Sequence, residues 1–274
     1  MRRLLRGDAA FVASLAYLVG LVLLSLLSPA IAPYSPLDQT ADVLAPPGWA
    51  HWLGTDDLGR DVLSRLIFGA PMTLYASLLA VSVACLIGLP FGLAAGYLGG
   101  WADVVVSRLV DTLLSFPSIV LAIAVTGALG IGLTNSMVAV GIVFSPGIAR
   151  LIRVQTLVIK SELYVDAART FGMSPLQLVL RHVLPNAIQP VVVQVTLLLA
   201  TALLAEASLS FLGLGIQPPQ PSWGQMLARA YGYIEISPEQ MYAPGLAILL
   251  TALAFNTLGE TLRVRLDPTR RRST

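Results

Sequence analysis

The sequence carries little charge. Only 12% of its 274 residues are Asp, Glu, Lys or Arg, whereas an average soluble domain has about 25%. Hydrophobic residues make up 56% of the chain, and the mean hydropathy is +0.78. A disordered chain, a nucleic-acid-binding domain and an ordinary cytosolic enzyme are excluded by this composition. It predicts a multi-pass membrane protein that lies in a lipid bilayer.

Cysteine and lysine are also scarce. Cys85 is the single cysteine, which excludes a disulfide within the chain and a cysteine metal cluster. Lys160 is the only lysine and follows no glycine-rich stretch, so the chain lacks the P-loop needed to cradle nucleotide phosphates. His51 and His182 have no second ligand nearby in the sequence. We therefore expect a non-catalytic chain without a metal or cofactor of its own.

Charge-free stretches predict six transmembrane helices. A span needs about 20 apolar residues, and continuous apolar runs favour helices over a β-barrel. The first run is longer than a usual signal-peptide core, so we expect an uncleaved anchor, with a cleaved signal peptide as the alternative. The fold class is thus an all-α membrane protein with six transmembrane helices. The predicted spans are 10–27, 74–97, 104–129, 136–157, 188–212 and 242–262.

The placement of basic residues predicts the orientation. With the N-terminus in the cytoplasm and six crossings, 14 of the 17 Lys and Arg residues fall on the inner side, as the positive-inside rule requires. Both termini are then cytoplasmic. We expect three parts: an anchor helix with a long outer loop (1–73), a five-helix core (74–262) that contains an inner loop at 158–187, and a basic cytoplasmic tail (263–274).

The inner loop has the pattern of a helix, a sharp turn and a second helix. Gly172 occupies a C-cap position. Ser174 and Gln177 then form a capping box, with Pro175 at the first helical position. The second helix should end at about Val183, before Pro185. Such a hairpin is either a rigid protrusion that contacts another protein or a solvated connection between two spans, and the pattern alone favours neither.

Seven short strings, in order, resemble one transporter family. DAARTFG at 166–172, followed after nine residues by HVLP at 182–185, resembles the EAA loop of binding-protein-dependent ABC importer permeases. Asp166 stands where that family usually has glutamate. The remaining strings resemble the dipeptide/oligopeptide/nickel subgroup, and the long outer loop after the first span resembles that of its second, "C"-type permease. They are GTDDLGRDVLSR at 54–65, GYLGG at 96–100, RLVDTLLSFP at 108–117, AEASLSFLGLG at 205–215, PSWG at 221–224 and LRVRLDP at 262–268.

The resemblance implies a type I (MetI-like) permease core in a bacterial-type inner membrane. It implies a homologous partner permease, two ATPase subunits that hold ATP and Mg, and an external substrate-binding protein, with no nucleic acid. The substrate would be a dipeptide or oligopeptide, with nickel or another small solute as the alternative. The inner loop would carry the helix that couples to the ATPases. The coupling residues would be Asp166, Ala167, Ala168, Gly172, Met173, Ser174, His182, Leu184 and Pro185.

Polar residues within the spans are candidates for a translocation path or gate, namely Glu206, Ser208, Ser210 and Asp111. A buried charge usually faces the helix bundle or water, so helix–helix hydrogen bonding is the alternative. An ion-driven secondary transporter also remains an alternative class.

Four charged residues of the outer loop are candidate contacts with another chain, namely Asp56, Asp57, Arg60 and Asp61. Their carboxylates could hold Mg²⁺ in a membrane transferase, but the chain has no second acidic cluster to face them. A salt-bridged cap that touches the binding protein or the partner permease is therefore favoured. The segment 222–233 is predicted to form an amphipathic outer helix, which either touches the binding protein or packs on the bundle.

Overall fold

The computed structural model describes residues 2–266, with side chains for residues 9–265, and this part of the chain is helical apart from its loops. Within it, the only β-type pairing is an isolated bridge between Thr55 and Asp61. The all-α class is therefore confirmed. The α-helices are α1 (Arg2–Leu26), α2 (Ser28–Ile31), α3 (Val62–Leu98), α4 (Gly100–Leu114), α5 (Ser118–Leu129), α6 (Leu133–Lys160), α7 (Leu163–Thr170), α8 (Pro175–Leu178), α9 (Leu184–Ala187), α10 (Gln189–Phe211), α11 (Trp223–Tyr231) and α12 (Tyr242–Leu266).

Five of these helices are long and apolar enough to cross a membrane, namely α1, α3, α6, α10 and α12. The pair α4 and α5 would give a sixth crossing if it forms one span, but the two helices are bent by 99°, so that the pair is either a broken span or a re-entrant loop. The expectation of one continuous span at 104–129 was therefore wrong. Pro117 lies directly before α5, and a proline disfavours helix at the residue that precedes it. With 12 residues, α5 is about 18 Å long, less than the roughly 30 Å of a hydrocarbon core.

The second span begins earlier than expected. α3 starts at Val62 rather than at residue 74, and its 37 residues extend about 55 Å. The charge of Arg65 excluded this first part from the predicted span, yet Arg65 is only 1% exposed. The boundary expected at 73/74 therefore lies inside α3, and that at 262/263 lies inside α12. The division of the chain into parts stays a prediction, and residues 267–274 of the expected tail lie outside the described residues.

A stripe of glycines joins α3 to α6. Added Cβ atoms at Gly88 and Gly96 would lie 2.7 Å from the Cβ atoms of Ile148 and Thr156 respectively. The residue numbers rise together along both helices, so α3 and α6 run in parallel. Small residues let helix backbones approach closely in a membrane, where van der Waals packing holds helices together. This contact forms the centre of the bundle; α10 packs on both α3 and α6, and α12 packs on α10 and α1.

Segments predicted to share one side of the membrane lie together. At one end, Arg229 Nη1 donates to Asp57 Oδ1 at 3.0 Å. At the other end, Lys160 Nζ donates to the Tyr97 carbonyl at 2.6 Å, and Arg153 pairs with Asp103. The contacts at each end therefore join segments that the sequence assigns to the same side of the membrane.

Candidate functional site

The inner loop forms a hairpin that is anchored on one face and exposed on the other. Val165, Leu178 and Val183 are at most 1% exposed, and they share one core cluster with residues of α6. By contrast, Leu163 is 85% exposed and Phe171 is 89% exposed. The hairpin therefore has a fixed base and an apolar outer face that the described residues leave uncovered.

The turn of the hairpin has the predicted caps. Gly172 has φ +83°, its N–H donates to the Arg169 carbonyl at 3.0 Å, and the Met173 N–H donates to the Ala168 carbonyl at 3.3 Å. These two bonds form a Schellman motif. Ser174 Oγ then accepts from the Gln177 N–H at 3.4 Å, which completes the capping box. The expected C-cap and capping box are both confirmed.

The second half of the hairpin continues past its expected end. A π-helical turn, Val179–Val183, leads into α9, which contains Pro185, and α10 follows directly. The expectation that helix ends before Pro185 was wrong. Pro185 lies in the first turn of α9, directly after the π-helical turn, and the Leu184 N–H before it still donates to the Val179 carbonyl. The hairpin is thereby joined to α10 by nearly continuous helix.

The predicted coupling residues divide between the turn and its base. Asp166 is exposed, and its carboxylate accepts a hydrogen bond from Arg169 Nη1 at 3.0 Å. His182 is half-buried, its ring centroid lies 6.3 Å from that of Tyr164, and its Nε2 has no hydrogen-bond partner among the described residues. Burial and the neighbouring Glu162 raise the pKa of the Tyr164 phenol. Of the other predicted residues, the exposed ones are Ala167, Gly172, Ser174 and Pro185, and the half-buried ones are Ala168, Met173 and Leu184.

Glu206 joins α10 to α11 inside the subunit. Its Oε1 accepts hydrogen bonds from Ser210 Oγ at 2.8 Å and from Ser222 Oγ at 2.9 Å. Glu206 is 0% exposed, and its Oε2 has no hydrogen-bond partner among the described residues. Ser222 also caps α11 by accepting from the Gln225 N–H at 3.2 Å. The carboxylate thus holds α11 against the bundle, and a role of Glu206 and Ser210 in a gate stays a prediction.

Removing the Glu206 carboxylate should destabilise the subunit. We expect Glu206→Ala to leave the Ser210 and Ser222 hydroxyls unpaired, at a cost of about 1–3 kcal/mol for each buried group. Glu206→Gln keeps an acceptor oxygen and should retain most of the stability. Thermal unfolding of the purified subunit measures both variants. Ser208→Ala is the control, because Ser208 is exposed and its hydroxyl donates to the Leu204 carbonyl of its own helix. Equal losses of stability for Glu206→Ala and Ser208→Ala would contradict the expectation.

Ser208 borders a groove between α5, α6 and α10. The groove is mostly apolar, with Phe144 and Leu204 in its wall, and its hydroxyls come from Ser118, Thr201 and Ser208. Sequence reasoning missed both Ser118 and Thr201. Ser118 could not be found from the sequence, because only the break before α5 brings it beside α10, the helix that contains Thr201. The remaining candidate, Asp111, is exposed, and its carboxylate accepts from Arg150 Nη2 at 2.5 Å.

The charged residues of the outer loop bind one another. Asp56 accepts from Arg60 Nε at 2.8 Å and lies 3.4 Å from Arg65 Nε. Asp61 caps α3 by accepting from the Ser64 N–H at 2.7 Å. The expected salt bridges are present: Arg60 and Arg65 pair with Asp56, and His51 Nδ1 lies 2.9 Å from the Asp61 carboxylate. Asp57 is likewise paired, with Arg229. A contact of this cap with another chain stays a prediction.

The helix expected at 222–233 packs on the bundle. Trp223 is 2% exposed, its N–H donates to Thr73 Oγ1 at 3.3 Å, and its Nε1 donates to the Leu66 carbonyl at 2.9 Å. Gln225 accepts from Arg65 Nη2 at 3.4 Å. Of the two alternatives left open by the sequence, the described residues therefore show packing on the bundle.

Comparison with solved structures identifies the fold. Two inward facing structures of the MetNI methionine ABC transporter contain a chain that superposes with TM-scores of 0.59 and 0.60. Each match covers 74% of the present chain and 96% of the other at 23% sequence identity. The chain thus has the fold of a type I ABC importer permease.

Comparison with sequence families identifies the protein class. Residues 88–272 match the family described as binding-protein-dependent transport system inner membrane component. Residues 1–47 match the N-terminal TM domain of oligopeptide transport permease C. The chain belongs to the binding-protein-dependent inner membrane permeases and is a multi-pass inner-membrane protein. The resemblance to a C-type permease is confirmed.

Characterised relatives cover most of the chain. The glutathione transport system permease protein GsiD of Pectobacterium atrosepticum is 46% identical over 222 residues, which are 81% of this chain and 74% of that protein. The probable D,D-dipeptide transport system permease protein DdpC of Escherichia coli K12 is 42% identical over 97% of this chain and 89% of its own length. The dipeptide transport system permease protein DppC of Alkalihalophilus pseudofirmus is 38% identical over 96% of this chain and 87% of its own length.

Proposed function

We propose that the chain is one of two permease subunits of an ATP-driven importer for dipeptides or oligopeptides. The observation that carries the proposal is the exposed hairpin with a buried base, joined by helix to α10. The peptide substrate is supported by the relatives, whose names specify dipeptides, D,D-dipeptides and glutathione, all of them short peptides. The proposed partners are a homologous permease, two ATP-binding subunits and an external substrate-binding protein.

The hairpin is proposed to dock on an ATP-binding subunit. Leu163, Phe171 and Leu176, between 68% and 89% exposed, provide apolar contact area. The exposed Ala167 and Gly172 allow a partner to approach the backbone closely. Asp166 is paired only with the exposed Arg169, so its carboxylate can exchange this partner for one on another chain at little cost. ATP and Mg would bind the partner subunit, because this chain has no P-loop.

The orientation follows from the same proposal. An ATP-binding subunit lies in the cytoplasm, so the hairpin end of the bundle faces inward, and so do both termini. The 14 basic residues assigned to the inner side support this orientation. The opposite end, with the salt-bridged cap and α11, then faces the external binding protein.

The mechanism proposed is a rigid transfer of motion. Closure of the ATP-binding pair moves the hairpin, and the helix through α9 carries this movement into α10. Since α10 forms one wall of the groove at Ser208, its tilt would switch that groove between inward and outward access. We therefore keep Ser208 as a residue of the translocation path. Asp111, near the break between α4 and α5, is kept as a residue of its inner mouth.

The coupling surface can be tested by co-purification. We expect Phe171→Asp to abolish retention of the ATP-binding chains and ATP-driven uptake, while the two permeases stay assembled. The reason is that a charge would be buried unpaired in the docked state. Ile236→Asp is the matched control for retention of the ATP-binding chains, because Ile236 is 73% exposed at the opposite end, away from the hairpin. Retention of the ATP-binding chains by Phe171→Asp would overturn the proposed docking.

A further inference from the structure

A turn of the outer loop, residues 48–54, is held firmly against α3. The Gly54 N–H donates to the His51 carbonyl at 3.0 Å, and His51 Nδ1 lies 2.9 Å from the carboxylate of Asp61. Tyr34 Oη donates to the Ala50 carbonyl at 2.7 Å. Because Asp61 also caps α3, the position of the turn is coupled to the start of that helix. The backbone of this turn is therefore well defined by contacts within the chain.

Two tryptophans project from this turn, and none of the residues that the structure describes covers them. Trp49 is 99% exposed and Trp52 is 69% exposed, on either side of the inward-facing His51. They border an open groove whose apolar wall includes Ile31 and Ile67. Large apolar groups clustered on a surface mark an interaction site. The question is which partner covers them.

The position of the groove along the bundle identifies the partner as lipid. α1 is the outermost span, with only 6% of its apolar window Ala9–Leu26 buried. This window is about 27 Å long, close to the thickness of a hydrocarbon core. The exposed apolar surface of α1 continues through Leu26 and Leu27 to Ile31, where the groove begins. The tryptophans therefore stand where the lipid-facing surface of the first span ends.

The sequence of the turn agrees with this position. Residues 43–55 contain no Asp, Glu, Lys or Arg, and Val43 is 52% exposed. A charge-free segment with two exposed tryptophans is suited to the membrane–water boundary, where an indole ring places its apolar body in lipid and its N–H in the wet headgroup layer.

We propose that Trp49 and Trp52 insert into the headgroup region of the adjacent phospholipid leaflet and anchor the outer loop to the bilayer. The proposed topology makes this the outer leaflet, whereas the insertion itself does not depend on it. The anchor would hold the outer end of α3 at a constant depth, because the turn is bound to Asp61 at the start of that helix.

Spin labelling of the assembled transporter in phospholipid vesicles tests the anchor. Because Cys85 is the single cysteine of this chain, Cys85→Ala provides a chain without cysteine. In that chain, Trp49→Cys and Trp52→Cys are each labelled with a nitroxide. Val19→Cys, on the lipid-facing side of α1, and Asp42→Cys, on the exposed outer loop, are the dry and wet controls. Each labelled variant must first retain uptake, so that the folded transporter is measured.

The measured quantity is the ratio of label collisions with oxygen to collisions with a water-soluble nickel chelate. Oxygen concentrates in lipid, whereas the chelate does not enter it. We expect this ratio to be at least about threefold higher at positions 49 and 52 than at position 42. A ratio equal to that at 42 would show that the ring sites are in water and would overturn the proposal. Exclusion of both reagents would also overturn it, because the site would then be covered by protein. Either of these two results would refute the lipid anchor but not the proposed permease function, because uptake is measured separately.

Discussion

Substitution of Gly92 by alanine is expected to disrupt the contact between α3 and α6. Gly92 faces Ile152 and the carbonyl of Ala149, and an added Cβ would collide with both. The backbone of α6 cannot move aside locally, so the two helices must separate along the whole glycine stripe. Overpacking of this kind costs about 1–3 kcal/mol, a large part of a typical stability of about 5–15 kcal/mol. We expect a lower melting temperature in detergent and a parallel loss of uptake.

Gly147→Ala is the matched control for Gly92→Ala. Gly147 lies in α6 itself, and an added Cβ there meets no atom within 4 Å. Alanine is the better helix former by up to about 1 kcal/mol, so this variant should be as stable as the natural chain or slightly more stable. Equal melting temperatures for the two variants would show that the glycine stripe does not set the distance between the helices.

Substitution of Gly172 by valine is expected to uncouple the transporter while leaving the spans intact. At φ +83°, a β-branched residue is a genuine outlier, and such strain costs about 1–3 kcal/mol. An added Cβ meets nothing within 4 Å, so the backbone conformation alone produces the effect. The turn should open, and the exposed Phe171 beside it should lose its position. ATP-driven uptake should fall strongly, with an unchanged melting temperature of the bundle.

Gly172→Asn separates turn geometry from the mere presence of a side chain. Asparagine tolerates the left-handed region far better than other residues with a side chain, and the exposed site offers it space. Uptake by Gly172→Asn should therefore stay close to that of the natural chain. If the asparagine and valine variants coupled equally well, the shape of this turn would not matter for coupling.

Local features of the hairpin could be predicted because neighbouring residues produce them. The Schellman motif at Gly172 and the capping box of Ser174 and Gln177 involve bonds across at most five residues, so a short string contains all that is needed. The π-helical turn before Pro185 could not be predicted in this way. Its two ends, Leu178 and Val183, pack in one cluster with Ile148 and Ile152 of α6, and a short string does not contain these contacts.

The break between α4 and α5 shows a second limit of prediction. Proline is also present within α3, at Pro71 and Pro90, and within α6, at Pro146, where helix continues. A proline in an apolar run therefore does not by itself locate a break in a membrane helix. At Pro117 the two segments pack on different parts of α6, with Asp103 paired to Arg153 and Ala122 in the core beside Val140. This packing, rather than the proline alone, separates them.

By itself, the sequence determined the class of the protein, its all-helical fold and the position of the hairpin. Each of these depends on solvent preference averaged over a segment or on contacts between close neighbours. Only the tertiary structure decided what the charged residues do. Glu206 meets Ser222 of α11, and Arg65 meets Gln225, 160 residues away. Burying a charge costs free energy unless a partner satisfies it, and these partners come from helices that only folding brings together.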